Sequence, residues 1–301
     1  MPDPTIVLAG ATGHLGGKIA AALRTRGADV RALVRPGTAS EKLDPLRQLG
    51  VSILTVDPTS LPAMTEACRG AACVVSALSG LRAAIVDAQT ILLNAAVAAG
   101  VPRFIPSDFA ADFTKVAPGA NRNFDLRRDF MARLDAAPIA ATSVFNGAFA
   151  DILTGVAPII LFKVKRVVYW ADADQLMDFT TMDNVATYTA AAALDPTTPR
   201  FLRIAGDQIS ARGLATVMSE VSGVPYRLLR PGGLGTLATI IKVTRTLVPA
   251  SQDIYPPWQG MQYLHNMFSG DAKLKPLDND RYPGMRWESA RAVLAAHLKN
   301  L

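Results

Sequence analysis

Thirteen residues near the start of the chain constrain its fold more than any others: Thr5-Ile-Val-Leu-Ala-Gly-Ala-Thr-Gly-His-Leu-Gly-Gly17. A short apolar, β-prone run (Ile6, Val7, Leu8) leads into glycines at 10, 13 and 16. An alanine-rich amphipathic segment from Lys18 to Arg24 follows. Strand, glycine turn and helix start, in that order, are the context in which such a fingerprint signals dinucleotide binding. Gly10 suits the tight turn, Gly13 lets backbone N–H groups approach a pyrophosphate, and Gly16 lets the helix pack close to the strand. Thr12, His14 and Leu15 lie between them, where a helix N-terminus offers unpaired N–H groups and its positive dipole end to phosphate. A glycine-rich βα turn with no ligand is the plainer alternative.

The first half of the chain then alternates regularly. Apolar strand candidates fall at 4–9, 29–35, 52–56, 72–77 and 103–106, with helix candidates at 14–26, 40–49, 60–69 and 81–99 between them. Short continuous apolar strands separated by helices predict an α/β fold with a parallel sheet covered on both faces. Right-handed crossovers make it doubly wound, with the ligand at the carboxyl ends of the strands. A sixth unit follows, helix 124–136 and strand 139–146. Beyond it the rhythm loosens: a strand is expected at 163–170, another at 200–205, and a helix capped by Ser210 running to Ser222. The expected division is a nucleotide-binding domain over 1–150 and, over 151–301, a smaller substrate-binding lobe that returns some segments to the main sheet.

Composition excludes several classes. Half of the 301 residues are hydrophobic, yet the longest apolar stretch, Ile152 to Phe162, is broken by Thr154, Gly155 and Pro158 and falls short of the roughly 18–20 residues a membrane span needs. The N-terminus enters the first strand without signal-peptide regions, so a soluble cytoplasmic protein is expected. Two cysteines and three scattered histidines make no metal set. The net charge of +6 is spread along the chain, which fits solubility or attraction for an anionic cofactor better than a nucleic-acid face.

The end of the second strand discriminates between cofactors. An NAD-binding unit carries an acid about 20 residues beyond the glycines for the ribose 2′-hydroxyl. Here that strand reads Asp29-Val-Arg-Ala-Leu-Val-Arg35, and no carboxylate follows until Glu41. An arginine at this point grips a 2′-phosphate bidentately, and Thr38, Ser40 and Lys42 in the next loop are further donors. NADP(H) is therefore expected over NAD(H). Asp57, after the third strand, is placed either to meet the adenine edge or to form a simple Asp57-Pro58 turn. The small-residue loop Ser76-Ala77-Leu78-Ser79-Gly80 is expected near the cofactor's central ribose and phosphates.

These motifs accumulate into a resemblance. Gly-Ala-Thr-Gly-His-Leu-Gly, then Ala-Leu-Val-Arg, Val-Pro-Arg-Phe-Ile-Pro-Ser-Asp-Phe at 101–109, Thr-Ser-Val-Phe-Asn-Gly-Ala-Phe at 142–149 and Asp-Asn-Asp-Arg-Tyr-Pro-Gly-Met-Arg-Trp at 278–287 resemble the NmrA-like and isoflavone-reductase-like group of atypical short-chain dehydrogenases. The resemblance implies a Rossmann-type domain, NADPH preference and a small aromatic substrate, with Ser107 near the cofactor and Phe109, Asn146, Gly147 and Phe149 helping to position the nicotinamide. It equally implies a second class: NmrA-type redox sensors, which bind dinucleotide and a protein partner without evident chemistry. A homo-oligomer is compatible with either.

The Tyr-x-x-x-Lys pair of ordinary short-chain dehydrogenases is absent; Tyr188 is followed four positions on by Ala192. The reductase group instead uses a lysine on the helix after Pro-Ser-[Asp/Glu]-Phe, and that lysine aligns with Arg127. At about 100° per residue, Phe124, Leu126, Phe130, Met131 and Leu134 form one apolar arc of roughly 160°, and Arg127 falls inside it. Arginine stays protonated in proteins, so it can orient a substrate or steady an oxyanion but is a poor general acid or base. Asp108, Asp112, Tyr169 and His265 are the other groups available to move a proton, with Asp108 read as a loop cap. Tyr255, Trp258, Tyr263 and Trp287 either line an apolar pocket or fill the core. The expectation is an NADPH-dependent reductase of an aromatic or α,β-unsaturated compound, with the sensor as its alternative.

Overall fold

The computed structural model describes residues 3–248 and 253–299. Two compact units divide the chain. The first comprises Met1–Phe109, Leu126–Val144 and Val185–Leu202, and the second Ala110–Asp125, Phe145–Asn184 and Arg203–Leu301. The chain thus passes between units five times, instead of once near residue 150. Periodicity marks where elements lie but not which core each joins, so these returns have no local signature.

The first unit is built on a parallel sheet in the order β3-β2-β1-β4-β5-β6. Its strands are β1 (Thr5–Ala9), β2 (Asp29–Val34), β3 (Ser52–Thr55), β4 (Cys73–Ser76), β5 (Arg103–Ile105) and β6 (Ala140–Ala141). The pairing runs Ile6 with Val30 and Cys73, Val74 with Phe104, and Phe104 with Ala141. This is the order of a dinucleotide-binding sheet, with the reversal of direction between β1 and β4. The crossovers contain α1 (His14–Thr25), α2 (Ser40–Gln48), α3 (Leu61–Cys68) and α4 (Gln89–Ala98); α5 (Arg122–Asp135) precedes β6. β1 and β4 are buried on both faces, which is why they read as unbroken apolar runs rather than alternating ones. Val7, Met64, Val74, Leu92, Leu93, Phe104, Phe130 and Leu134 form one contiguous core.

Two local departures from expectation have physical causes. The strand expected over 139–146 is interrupted at Thr142, whose N–H donates to Phe104 O (3.0 Å) while the next N–H, of Ser143, turns to Arg200 O (2.9 Å). The expected helix 81–99 opens with a π-helical turn, Ala83–Ala88, before α4.

The second unit carries two small three-stranded sheets. Arg166–Trp170 lies between Arg227–Gly232 and Ile160–Leu161, and Met177–Thr180 lies between Asp207–Ile209 and Ala148–Phe149. The strand expected from 163 begins only at Arg166, because Phe162–Val164 is a 3-10 turn closed by Lys165 at φ 53°. Ser210 caps Ala211–Ser222 as expected, its Oγ accepting from Gly213 N at 3.1 Å. Leu153, Val167, Trp170, Phe179, Leu214, Met218, Leu264 and Phe268 form this unit's core. No helix of the described residues is long and apolar enough to cross a membrane, and none of their histidine, cysteine and acid side chains cluster as a metal site.

Candidate cofactor-binding site

The glycine turn performs three separate tasks. Gly10 adopts φ +82°, and a Cβ there would lie 2.5 Å from Ala77 O, so this position needs glycine both for its backbone conformation and for the approach of the loop after β4. A Cβ on Gly16 would lie 2.0 Å from Gly10 O and 2.9 Å from Ala11 Cα, which lets α1 pack against the end of β1. Gly13 differs from both: its φ is −85° and a Cβ would meet Gly10 O at an ordinary 3.4 Å. Its lack of a side chain is not demanded by the protein's own packing.

Gly13 is also the N-cap of α1. No side chain caps this helix and no acid lies in its first turn, so its leading N–H groups and positive dipole end face outward at the exposed Thr12–His14 segment. Leu15 is half-buried behind it. This arrangement suits a phosphate: the donors are backbone, the cradle is glycine, and no carboxylate competes. Arg35 and Lys42 are exposed beyond β2, on the sheet's carboxyl edge, where Thr38 N and Oγ1 fold the turn back on Arg35 O (3.2 and 2.7 Å). Asp57 is exposed too, but its carboxylate accepts from Thr59 N (2.9 Å) and Thr59 Oγ1 (2.7 Å). Those bonds hold its pKa below the ordinary carboxylate value. It forms the strand-end turn.

Four further segments converge at the carboxyl ends of β4 and β5. Ala77 N donates to Ala9 O (2.8 Å), joining the β4 loop to the glycine turn. Ser107, buried, donates its Oγ to Leu78 O (2.6 Å), receives Arg127 Nε at its carbonyl (3.2 Å), and gives its own N–H to Gln89 Oε1 (2.8 Å). Ala77, Leu78, Ser107 and Arg127 are therefore brought together with Gly10. Gln89, which sequence reading passed over, joins them. Its signal is that it is a buried polar side chain at the head of an otherwise alanine, leucine and isoleucine-rich helix.

Asp108 is not a loop cap. It is 1% exposed; its Oδ2 accepts from Ser143 Oγ (2.6 Å) and its Oδ1 has no hydrogen-bond partner. Ser143 Oγ in turn receives Arg200 Nη1 (2.7 Å), and Arg200 Nε reaches Asp135 Oδ1 (2.9 Å). Burial pushes the Asp108 carboxyl up to about 6, against the opposing pull of the Ser143 hydroxyl and the charges of Arg127 and Arg200.

Asn146 and Phe149 belong to the second unit. Asn146 is fully buried with Oδ1 unpartnered, its N–H donating to Ala110 O (2.9 Å) and its carbonyl receiving Thr180 Oγ1 (2.7 Å). Phe149 is half-buried. Gly147 stands at φ +69° with Asp178 O only 2.4 Å from where a Cβ would be. Gly147 and Ala148 border a small cleft of about 20 Å³, as do Asp178 and Lys273, which form an ion pair. Asp112 is committed to Arg203 (Nε–Oδ2 2.7 Å) and to Thr114 N (3.2 Å), which removes it from the candidates for proton transfer. Tyr169 and His265 are half-buried. Among the aromatic residues expected either to line a pocket or to fill the core, Trp258 is a core residue, fully buried, with the guanidinium groups of Arg122 and Arg245 over its ring. Tyr255 is exposed, while Tyr263 and Trp287 are half-buried.

Comparison with known proteins agrees with this architecture. The model of the NmrA-like family matches residues 2–245. Pinoresinol reductase 1 of Arabidopsis thaliana is 29% identical over 207 residues, 64% of this chain and 65% of that protein. Phenylcoumaran benzylic ether reductase PT1 of Pinus taeda is 27% identical over 230 residues, 71% of this chain and 74% of that protein. The chain thus spans 65% of the length of each of the two pinoresinol reductases it matches. In three dimensions it superposes on AtPrR2 with NADP+ and (+)pinoresinol with a TM-score of 0.83 at 21% identity, covering 98% of this chain and 99% of the other. An isoflavone reductase structure gives 0.82 at 20% identity, covering 98% and 99%. The chain belongs to the NmrA-like family.

Proposed function

We propose that this protein is an NADPH-dependent oxidoreductase that reduces a small aromatic or α,β-unsaturated compound of the phenylpropanoid kind. The observation that carries the reading is the uncapped, acid-free N-terminus of α1 standing behind a glycine cradle, with Arg35 at the end of β2 where an NAD-binding unit has an acid. The relatives named as pinoresinol and phenylcoumaran benzylic ether reductases supply the substrate class. When bound, NADPH supplies a hydride from its nicotinamide ring. The α1 N–H groups would hold the pyrophosphate, and Arg35 with Lys42 would hold the 2′-phosphate. Ala77, Leu78 and Ser107 would line the central part of the site. Arg127, tied to Ser107 O, would steady negative charge that develops on the substrate; a guanidinium is a poor general acid, so the proton comes from another group.

Cofactor choice tests the first half of this reading. Fluorescence titration is expected to give at least about tenfold tighter binding of NADPH than of NADH, a difference of about 1.4 kcal/mol. Arg35→Ala should shrink that preference below about threefold while leaving NADH affinity unchanged. Equal affinities in the wild type would overturn the NADP(H) assignment.

A panel of aromatic aldehydes, enones and benzylic ethers with NADPH, followed at 340 nm, tests the second half. Arg127 in place of the lysine of related reductases favours one other reading, a dinucleotide-binding regulator. The Arg127→Lys variant separates the two. In a working reductase that relies on arginine, kcat/KM is expected to fall about tenfold, because a lysine ammonium does not reproduce the planar fork. Turnover gained by the variant over an inert wild type would support the regulator.

A further inference from the structure

We propose that Gln89 is a positioning residue for the cofactor site: its side-chain amide fixes the Ser107 peptide, and through that peptide the Leu78 carbonyl and Arg127. The inference rests on the proposed NADPH-dependent reading, since those three groups are the ones assigned there to the site's lining and to Arg127's charge.

The device begins with the π-helical turn Ala83–Ala88. In a regular α-helix the backbone N–H of Gln89 would bond to Ile85 O. Here it bonds to Val86 O instead, and the side-chain Nε2 of Gln89 takes the Ile85 carbonyl at 2.8 Å. That bond aims the other half of the amide, Oε1, out of the helix to Ser107 N at 2.8 Å. Gln89 is fully buried and both ends of its amide are bonded. π-Helical turns recur at functional sites; at the exit of this one the i→i−3 bond leaves the Ile85 carbonyl to the Gln89 side chain.

The chemistry at position 89 is restrictive. One planar group must donate to the Ile85 carbonyl in its own helix and accept from the Ser107 N–H, 18 residues beyond Gln89 in sequence. Asparagine is too short to span the same gap, an aliphatic side chain satisfies neither partner, and an ionised glutamate presents two acceptors, one of them facing Ile85 O. A protonated glutamate does reproduce the pattern, donating through O–H and accepting through C=O.

With Gln89 in place, every polar group of Ser107 has a partner: N–H to Gln89, C=O to Arg127 and Oγ to Leu78. Removing Gln89 frees the Pro106–Ser107 peptide to rotate, which shifts the Ser107 backbone and with it the following carbonyl on which Arg127 is held. Buried groups left without partners are costly enough to drive such a rearrangement.

The test uses Gln89→Leu and Gln89→Glu with the wild-type protein, measuring NADPH Kd by fluorescence, kcat and KM on the best substrate found, and Tm, each from pH 5 to pH 8. Asp108 and Arg127 stand close to the same loop, so the wild-type profile is the baseline against which each variant is read. Gln89→Leu is expected to weaken NADPH binding about tenfold and lower kcat about thirtyfold at every pH. Gln89→Glu is expected to match Gln89→Leu at pH 8 and to return to within about threefold of wild type at pH 5, as the introduced carboxyl takes up a proton. If Gln89→Leu does not fold, the pH-dependent recovery of Gln89→Glu in Kd and kcat decides alone. A role confined to holding the helix together would move Tm with pH while Kd and kcat stayed parallel to wild type, and that result overturns the proposal. Wild-type protein that binds no NADPH overturns the functional reading and this inference with it. Wild-type binding with both variants unchanged overturns only the assignment of Gln89.

Discussion

Gly16→Ala will cost this protein about 3 kcal/mol of stability and at least tenfold in NADPH affinity, while Gly13→Ala will cost affinity alone. The contrast follows from what each added methyl meets. At Gly16 the new Cβ falls 2.0 Å from Gly10 O and 2.7 Å from Gly10 C. Both are backbone atoms of a turn already held at φ +82° with Ala77 O 2.5 Å from its own missing Cβ. Neither side yields by a rotamer change, so α1 must move away from β1. Overpacking of this kind costs about 1–3 kcal/mol and more where the backbone is the obstacle. At roughly 2–4 °C per kcal/mol, Tm falls by about 6–12 °C. The same displacement would withdraw the α1 N–H groups from the phosphates they are proposed to hold. At Gly13 the backbone is already extended and the nearest atom is 3.4 Å from the new Cβ, so Tm should stay within about 2 °C, a shift of under 1 kcal/mol. There the methyl occupies only space that the pyrophosphate would take. Thermal unfolding and NADPH titration of both variants check the pair. Equal losses of Tm would mean that the two glycines do one job, and an undiminished NADPH affinity in Gly13→Ala would remove the pyrophosphate from the turn.

What made this turn legible from sequence is that its causes are local. A buried strand, a residue at positive φ and a helix start sit within thirteen residues, and each leaves its mark in residue type. The same holds for β1 and β4, whose full burial produces unbroken apolar runs. Gln89 is the opposite case. A π-turn inserts one residue's worth of slack into a helix with few polar positions, so the pattern does not shift enough to betray it. Its meaning depends on Ser107, which lies in another loop. The short strands of the second unit were illegible for a related reason. Ala148–Phe149 and Ile160–Leu161 are two residues long, too short for any period, and are strands only by virtue of their distant partners. Asp108 was misread as a cap because Pro-Ser-Asp-Phe has the look of a turn; its actual partner, Ser143, is 35 residues away.

That burial of Asp108 contributes stability in mild acid that is lost at neutral pH, and Asp108→Asn should remove this contribution. The folded-state carboxyl titrates near 6 against an ordinary 3.8, raised chiefly by desolvation. A group with a raised folded pKa favours the folded state while protonated; its contribution is complete below about 4 and is lost as pH climbs through about 6. Each pKa unit is worth about 1.4 kcal/mol, so the loss across that window is roughly 3 kcal/mol. Asparagine keeps the shape and the acceptor for Ser143 Oγ but has no charge to desolvate. Relative to wild type, Asp108→Asn should therefore be nearly neutral at pH 4 and more stable by roughly 2–3 kcal/mol at pH 7.5. Urea unfolding of both proteins across pH 4–8 measures the difference directly and cancels the titration of groups they share. Parallel profiles would show that Asp108 carries its charge without penalty, through the attraction of Arg127 and Arg200. The variant also separates structure from chemistry. If NADPH-dependent turnover survives in Asp108→Asn, the raised carboxyl is a feature of the buried Ser143–Arg200–Asp135 chain. If turnover disappears while stability rises, the proton that Arg127 cannot give comes from Asp108, and the loss of stability at neutral pH is a consequence of keeping that proton within reach.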